Sequence, residues 1–221
     1  MHRRKSLGEL RWPNRPEVDA VRQAWTVDAV DRLLGYVWQG YDWLRQEVLD
    51  EINVAQAEDD LERSLTQALE PRIRRSMSGA EPFFVQHGRY EHITRKPAPA
   101  QPPQYDLAFV SYGNENLCWP LEAKVLKSDT DVGAYVNDIK DEFLTCRYAP
   151  LSGEGAMLGY LLSGSTEFAF AAIAKAVPCQ LVVHPKFARR AHRTSEHLRT
   201  VPKGESFVPT LRCHHLLMPL D

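Results

Sequence analysis

The sequence predicts a mixed α+β domain in which helices flank a central mixed sheet, with a helical extension on its N-terminal side. Three observations carry that prediction. Two stretches, 26–49 and 56–76, place apolar residues at helical spacing. Three runs rich in aromatic and β-branched residues follow at 83–90, 105–112 and 118–126. Helical spacing returns at 132–148, and an apolar run at 154–162 then reads as another strand of the same sheet. A chain of 221 residues can bury a substantial core, so the expected division is an arm and helical extension over 1–55 and one main domain over 56–221.

Composition narrows the class. The chain is 43% hydrophobic and 25% charged with a formal net charge of -2, and no apolar run is long enough to span a bilayer. Its first residues are basic but lack the apolar stretch of a secretory signal. The expectation is a cytoplasmic protein with no membrane partner. The four cysteines, Cys118, Cys146, Cys179 and Cys213, are widely spaced without a CxxC pair, as suits free thiols in a reducing compartment. His214 and His215 follow Cys213, but adjacent residues of a strand point to opposite faces, which disfavours zinc.

The elements follow in order. Residues 1–25 carry Arg3, Arg4, Lys5, Arg11 and Arg15 among prolines and read as an irregular arm. In the first helix Val30, Leu33, Leu34, Val37, Tyr41 and Leu44 share a face, with Thr26 as N-cap and Asp28 in the first turn. The second helix has a stripe of Leu61, Leu65, Leu69 and Ile73, with Pro71 a point at which it kinks or ends. Gly88 marks a turn or bulge in the first strand, and the proline-rich stretch 96–104 is an extended loop. Asp129 and Asp131 are candidate caps for the helix at 132–148. Beyond 154–162 the pattern gives a short alanine-rich helix at 167–176, a final core strand at 180–184, a basic cluster at 186–193 and an edge strand at 214–220.

Chemistry concentrates at residues 105–127, two strands around the polar turn 113–116. Glu122 and Lys124 lie two apart in the second strand, so both side chains take one face while Leu121, Ala123 and Val125 take the other. Asp106 opens the first strand. A two- or four-residue loop would set position 106 opposite 123 and send Asp106 to the wrong face. A shared site therefore requires an odd loop, or a bulge for which Gly113 is the natural place. A second acid-x-Lys pattern, Asp138 to Lys140, lies within the helical stretch, where residues two apart diverge.

Asp106 together with Glu122-Ala123-Lys124 resembles the PD-(D/E)xK, restriction-endonuclease-like nucleases, and the element order from residue 56 to 185 resembles their αβββαβ core. Tyr105 stands where that family often has proline. The resemblance implies a metal-dependent nuclease acting on nucleic acid, DNA before RNA. Asp106 and Glu122 would hold Mg²⁺, for which Mn²⁺ can substitute, and Lys124 would orient the attacking water. The family often adds an acid on the preceding helix, and Glu62 or Glu58 would fill that role. Lys140 and Arg147 on the following helix, and Arg189, Arg190 and Arg193 in the basic cluster, are the candidate nucleic-acid contacts. A net charge of -2 argues against strong unaided affinity for DNA. The expectation is thus a nuclease subunit working with a protein partner, as in bacterial anti-phage defence, with the N-terminal helical region as docking surface and a homodimer as one assembly. The alternative is a non-catalytic scaffold that keeps the nuclease fold.

Overall fold

The computed structural model describes residues 24–48, 51–52, 57–91, 93–94 and 102–220. The basic residues of the arm, and positions 96–101 of the proline-rich loop, lie outside them. Among the described residues the first two long helices are α1 (Val27–Glu47) and α2 (Glu58–Ser76). Thr26 caps α1, its hydroxyl accepting from the Ala29 N–H at 3.4 Å, and Pro71 is accommodated inside α2 without ending it. The predicted stripe of Leu61, Leu65, Leu69 and Ile73 is fully buried, as are Leu33, Leu34, Val37 and Leu44 of α1. A Cβ on Gly40 would come within 2.8 Å of Ile73, so the two helices cross in close contact at that glycine. The division at 55/56 thus falls between helices that share one core.

Among the described residues seven strands form a single sheet: β1 (Phe83–Tyr90), β2 (Gln104–Ser111), β3 (Cys118–Leu126), β4 (Glu154–Leu161), β5 (Val182–Val183), β6 (His192–Leu198) and β7 (Thr210–Pro219), in the spatial order β1-β2-β3-β4-β7-β6-β5. β3, β4 and β7 run parallel, and the remaining pairings are antiparallel. α3 (Gly133–Asp138) continues into a π-helical turn (Ile139–Phe143) between β3 and β4, and α4 (Thr166–Ala176) follows β4. The sheet is sandwiched: α1 and α2 pack on the face of Leu107, Phe109 and Leu121, while α3 and α4 pack on the face of Ala108, Leu126 and Leu217. The expected mixed sheet with flanking helices is therefore present.

Several expectations need correction. The apolar run at 180–184 is no core strand: only Val182 and Val183 pair, at the sheet edge, and they are 52% and 44% exposed. The expected edge strand is instead the interior strand β7, seated between β4 and β6. Its unbroken Leu216-Leu217-Met218 run is what a strand covered on both faces requires. Within the basic cluster the chain enters β6, whose buried residues are His192 and Ser195, so no apolar alternation announces it. The helix expected over 132–148 stops at Phe143, and Cys146 and Ala149 then adopt positive φ angles of 62° and 48° that no helix continues through. Asp129 does not cap α3 but accepts from the Ser165 N–H at 2.9 Å, bracing the start of α4.

On the sheet half away from β1, buried polar contacts hold α1 down. The Trp38 indole N–H donates to His192 Nδ1 at 3.2 Å, His192 Nε2 lies 3.3 Å from His214 Nδ1, and His214 Nε2 lies 3.4 Å from Glu154 Oε2. Since His192 Nδ1 accepts, its Nε2–H faces His214, whose own Nε2–H faces the carboxylate. Burial drives the His192 pKa down to about 2, so the ring stays neutral.

Arg199, only 7% exposed, ties β6 to the irregular segment after the π-helical turn. Its guanidinium donates to the carbonyls of Phe143 (2.9 Å), Tyr148 (2.6 Å), Ala149 (2.9 Å) and Ser152 (3.0 Å). Arg199→Met preserves the apolar stem but strips four carbonyls of this donor. The expected loss is about 3 kcal/mol, measured as a lower midpoint of urea unfolding; an unchanged midpoint would remove the clamp from the fold's stability.

Candidate active site

The β2–β3 hairpin sets the register on which the site depends. Leu107 pairs with Leu121, Phe109 with Trp119 and Val110 with Cys118, and the Ser111 N–H donates to the Leu117 carbonyl at 3.0 Å. Residues 112–116 are left as a loop of odd length. One step further along this register, Asp106 stands opposite Glu122. Its Oδ2 accepts from the Ala123 N–H at 2.8 Å, which orients the carboxylate across the strands. The accommodation expected of Gly113 is made by loop length, while Gly88, at φ 68°, interrupts β1 across from Asp106.

Glu122 and Lys124 share a face of β3, with Lys124 Nζ 3.6 Å from Glu122 Oε1. The same ammonium lies 3.1 Å from Glu62 Oε1, reaching in from α2, and 3.0 Å from Asp138 Oδ2, reaching in from α3. It also donates to the Ala123 carbonyl at 2.8 Å. Of the two α2 acids left open by the sequence, Glu62 joins the cluster, whereas Glu58 pairs with Lys127 at 2.6 Å.

These groups are mostly withdrawn from water, and their acidities follow. Burial, compounded by the charge of Asp106, pushes the Glu122 carboxyl well above the ordinary range. Burial raises Glu62 to about 7 against the pull of Lys124, and it raises Asp138 against the same pull. For Lys124 burial acts downward, but Glu122, Asp138 and Glu62 outweigh it and hold the ammonium protonated. Tyr148 closes the α3 side: burial and then the carboxylates raise its hydroxyl, which donates to the Gln104 carbonyl at 2.7 Å.

Whether the cluster suits a divalent cation is a question about its oxygens. Among the described residues no group of three or more His, Cys, Asp or Glu side chains is already gathered around one metal position. Yet Glu122 is 6% exposed, and its Oε2 has no hydrogen-bond partner. A buried carboxylate oxygen facing a second carboxylate and lacking a donor is relieved only by a proton or a cation. Carboxylate oxygens are also the donors that hard Mg²⁺ or Mn²⁺ accept. Asp106, Glu122 and Glu62 thus fit such an ion chemically.

The expected nucleic-acid contacts are not gathered at this cluster. Lys140 is exposed on the π-helical turn, and Arg147 pairs with Glu142 at 3.1 Å. Arg189, Arg190 and Lys186 line a cleft of about 400 Å³ against α1. There Arg190 makes two 2.6 Å bonds to Asp42, while Arg193 on β6 pairs with Glu167. β6 lies three strand positions from β3, roughly 14 Å across the sheet. Sequence reasoning missed Asp138, because the acid-x-Lys pattern to which it belongs is helical and its lysine points away. The signal it leaves is slight: a helical acid flanked by the buried Val136 and Ile139.

No protein-family model, no curated protein and no solved structure matches this chain. The geometry alone therefore carries the functional argument.

The raised Glu62 pKa makes stability depend on pH. The unfolded carboxyl loses its proton near 4.5 and the folded one near 7, so folding stability falls as pH rises across that interval. The fall is about 2–3 kcal/mol. Buried neutral His192 and His215 slope the curve the other way below their unfolded pKa of 6.5, so the measurement is a difference. In EDTA, Glu62→Gln should flatten the decline between pH 5 and 8 relative to wild type in urea titrations. Parallel curves would mean that Glu62 ionises normally.

Proposed function

We propose that this chain is a metal-dependent nuclease, hydrolysing phosphodiester bonds of nucleic acid, DNA before RNA. One observation carries the reading: the hairpin register brings Asp106 against Glu122 and Lys124, the three residues that resemble the PD-(D/E)xK set. The order α2-β1-β2-β3-α3-β4 supports assigning these elements to a restriction-endonuclease-like αβββαβ core.

In this reading Asp106 and Glu122 hold Mg²⁺ or Mn²⁺, with Glu62 as the third oxygen donor. When bound, the ion supplies positive charge against the phosphoryl oxygens and brings a water within the pH range where it becomes a nucleophile. The chain's own residues do the rest. The Ala123 N–H keeps Asp106 turned toward Glu122. Lys124, held protonated by its carboxylate neighbours, orients the water and offsets charge that grows on the phosphate as the bond breaks. Burial of Glu122 keeps the polar groups in a low-dielectric setting, where each interaction is stronger than in water.

Glu58, Asp59, Asp60 and Asp141 stand on the same two helices as Glu62 and Asp138, and the chain's net charge is -2. Phosphates approaching this rim meet repulsion. That supports action with a DNA-recognising or translocating partner, by analogy with nuclease subunits of bacterial anti-phage systems. Trp38 and Tyr41 of α1 are buried against the sheet, so a partner would use other residues of the N-terminal region.

Purified protein should cut plasmid or single-stranded DNA with Mg²⁺ or Mn²⁺ and not with EDTA. Asp106→Ala and Lys124→Ala should each lower the rate by about 10²–10³-fold. Cutting that survives in both variants would place the active site elsewhere. A wild type silent even with Mn²⁺ would favour the scaffold reading or an obligatory activating partner.

A further inference from the structure

We propose that Asp138 is a positioning residue that draws Lys124 off the carboxyl pair Asp106–Glu122, leaving that pair free to take a divalent cation. The inference rests on the cation-binding reading above, and Asp138 is no part of the sequence pattern that suggested it.

The geometry sets three carboxylates from three elements around one ammonium. Asp138 Oδ2 is the nearest to Lys124 Nζ at 3.0 Å, Glu62 Oε1 follows at 3.1 Å, and Glu122 Oε1 stands off at 3.6 Å. The 3.6 Å gap is outside hydrogen-bonding distance. Yet Glu122 is Lys124's neighbour on the same strand face and is more buried than either competitor, at 8% side-chain exposure against 17% for Glu62 and 24% for Asp138. Left to itself, the ammonium would close on the carboxylate beside it, because pairing is worth most where water is least. Instead its hydrogen bonds go to Glu62 and the Ala123 carbonyl, its shortest carboxylate distance is the ion pair with Asp138 on α3, and Glu122 Oε2 and Asp138 Oδ2 both lack a hydrogen bond. Asp138 ends the α-helical part of α3, where the π-helical turn Ile139–Phe143 begins. Such turns recur at functional sites because they re-aim side chains inside a helix. Without the charge at 138, Lys124 falls back on Glu122 and Glu62 and competes with any incoming ion for the same oxygens.

A double-mutant cycle read by Mn²⁺ binding separates positioning from direct ligation. Mn²⁺ affinity is measured by electron paramagnetic resonance for wild type, Asp138→Asn, Lys124→Met and the double variant, with thermal melting to confirm that each folds. Asp138→Asn should weaken Mn²⁺ binding about tenfold in the wild-type background but less than about threefold in the Lys124→Met background, since with the ammonium gone there is nothing left to hold aside. Asp138→Glu, which keeps the charge, should restore most of the affinity. An equal loss in both backgrounds would make Asp138 a direct ligand and overturn the proposal, as would no loss in either or no restoration by Asp138→Glu. A wild type that binds no Mn²⁺ would overturn it together with the metal site. The predicted cycle in a protein that cuts no nucleic acid would uphold the positioning role and sink the nuclease reading alone.

Discussion

Taking an ammonium out of water is costly unless opposite charges come with it, and that constraint organises the sheet's centre. Lys124 lies on an interior strand with 17% of its side chain exposed. It is tolerable there because α2 and α3 each deliver a carboxylate from opposite helical layers, and β3 supplies a third. The compensation is mutual. The acids, raised by burial, retain their charge only insofar as the lysine rewards it. Both helical layers therefore meet β3 around this ammonium.

Half of this arrangement is legible in the sequence. Asp106, Glu122 and Lys124 stand out because period-two alternation in two apolar runs says which side chains share a face, and because an odd loop is the condition for their meeting. The five residues between Ser111 and Leu117 meet that condition. α1 and α2 are legible because their apolar residues recur at three- and four-residue steps, while the positions midway along the α2 stripe, Arg63 and Gln67, which a strand would place on the same face, are polar. Asp138 is not legible, since its place depends on how α3 crosses over β3, and no local period encodes that. The same holds for β6: its inward residues His192 and Ser195 are polar, and their burial is tolerable only because partners from α1 and β7 meet them.

The two halves of the sheet divide the labour. On the β1–β4 side the interior carries ionised groups set against one another. On the β5–β7 side it carries hydrogen-bonded imidazoles on both faces of β7. His214 is tied to His192 and Glu154 on the α1 face, and His215 meets Tyr135 at 3.0 Å and Ser195 at 2.7 Å on the other. These bonds orient rings and choose tautomers.

The seat of β7 has a consequence for how the chain reaches this state. β4 pairs with β3 on one side and with β7 on the other, and the second pairing joins Glu154 to Arg212. During synthesis, the strand beside the charged cluster therefore emerges well before its second neighbour. Until that neighbour arrives, β4 presents an open, almost wholly apolar parallel edge, the kind that recruits foreign strands. Non-local parallel pairing also closes slowly. The vulnerable interval in this protein's life is thus the time between making the half that carries the charged cluster and sealing it.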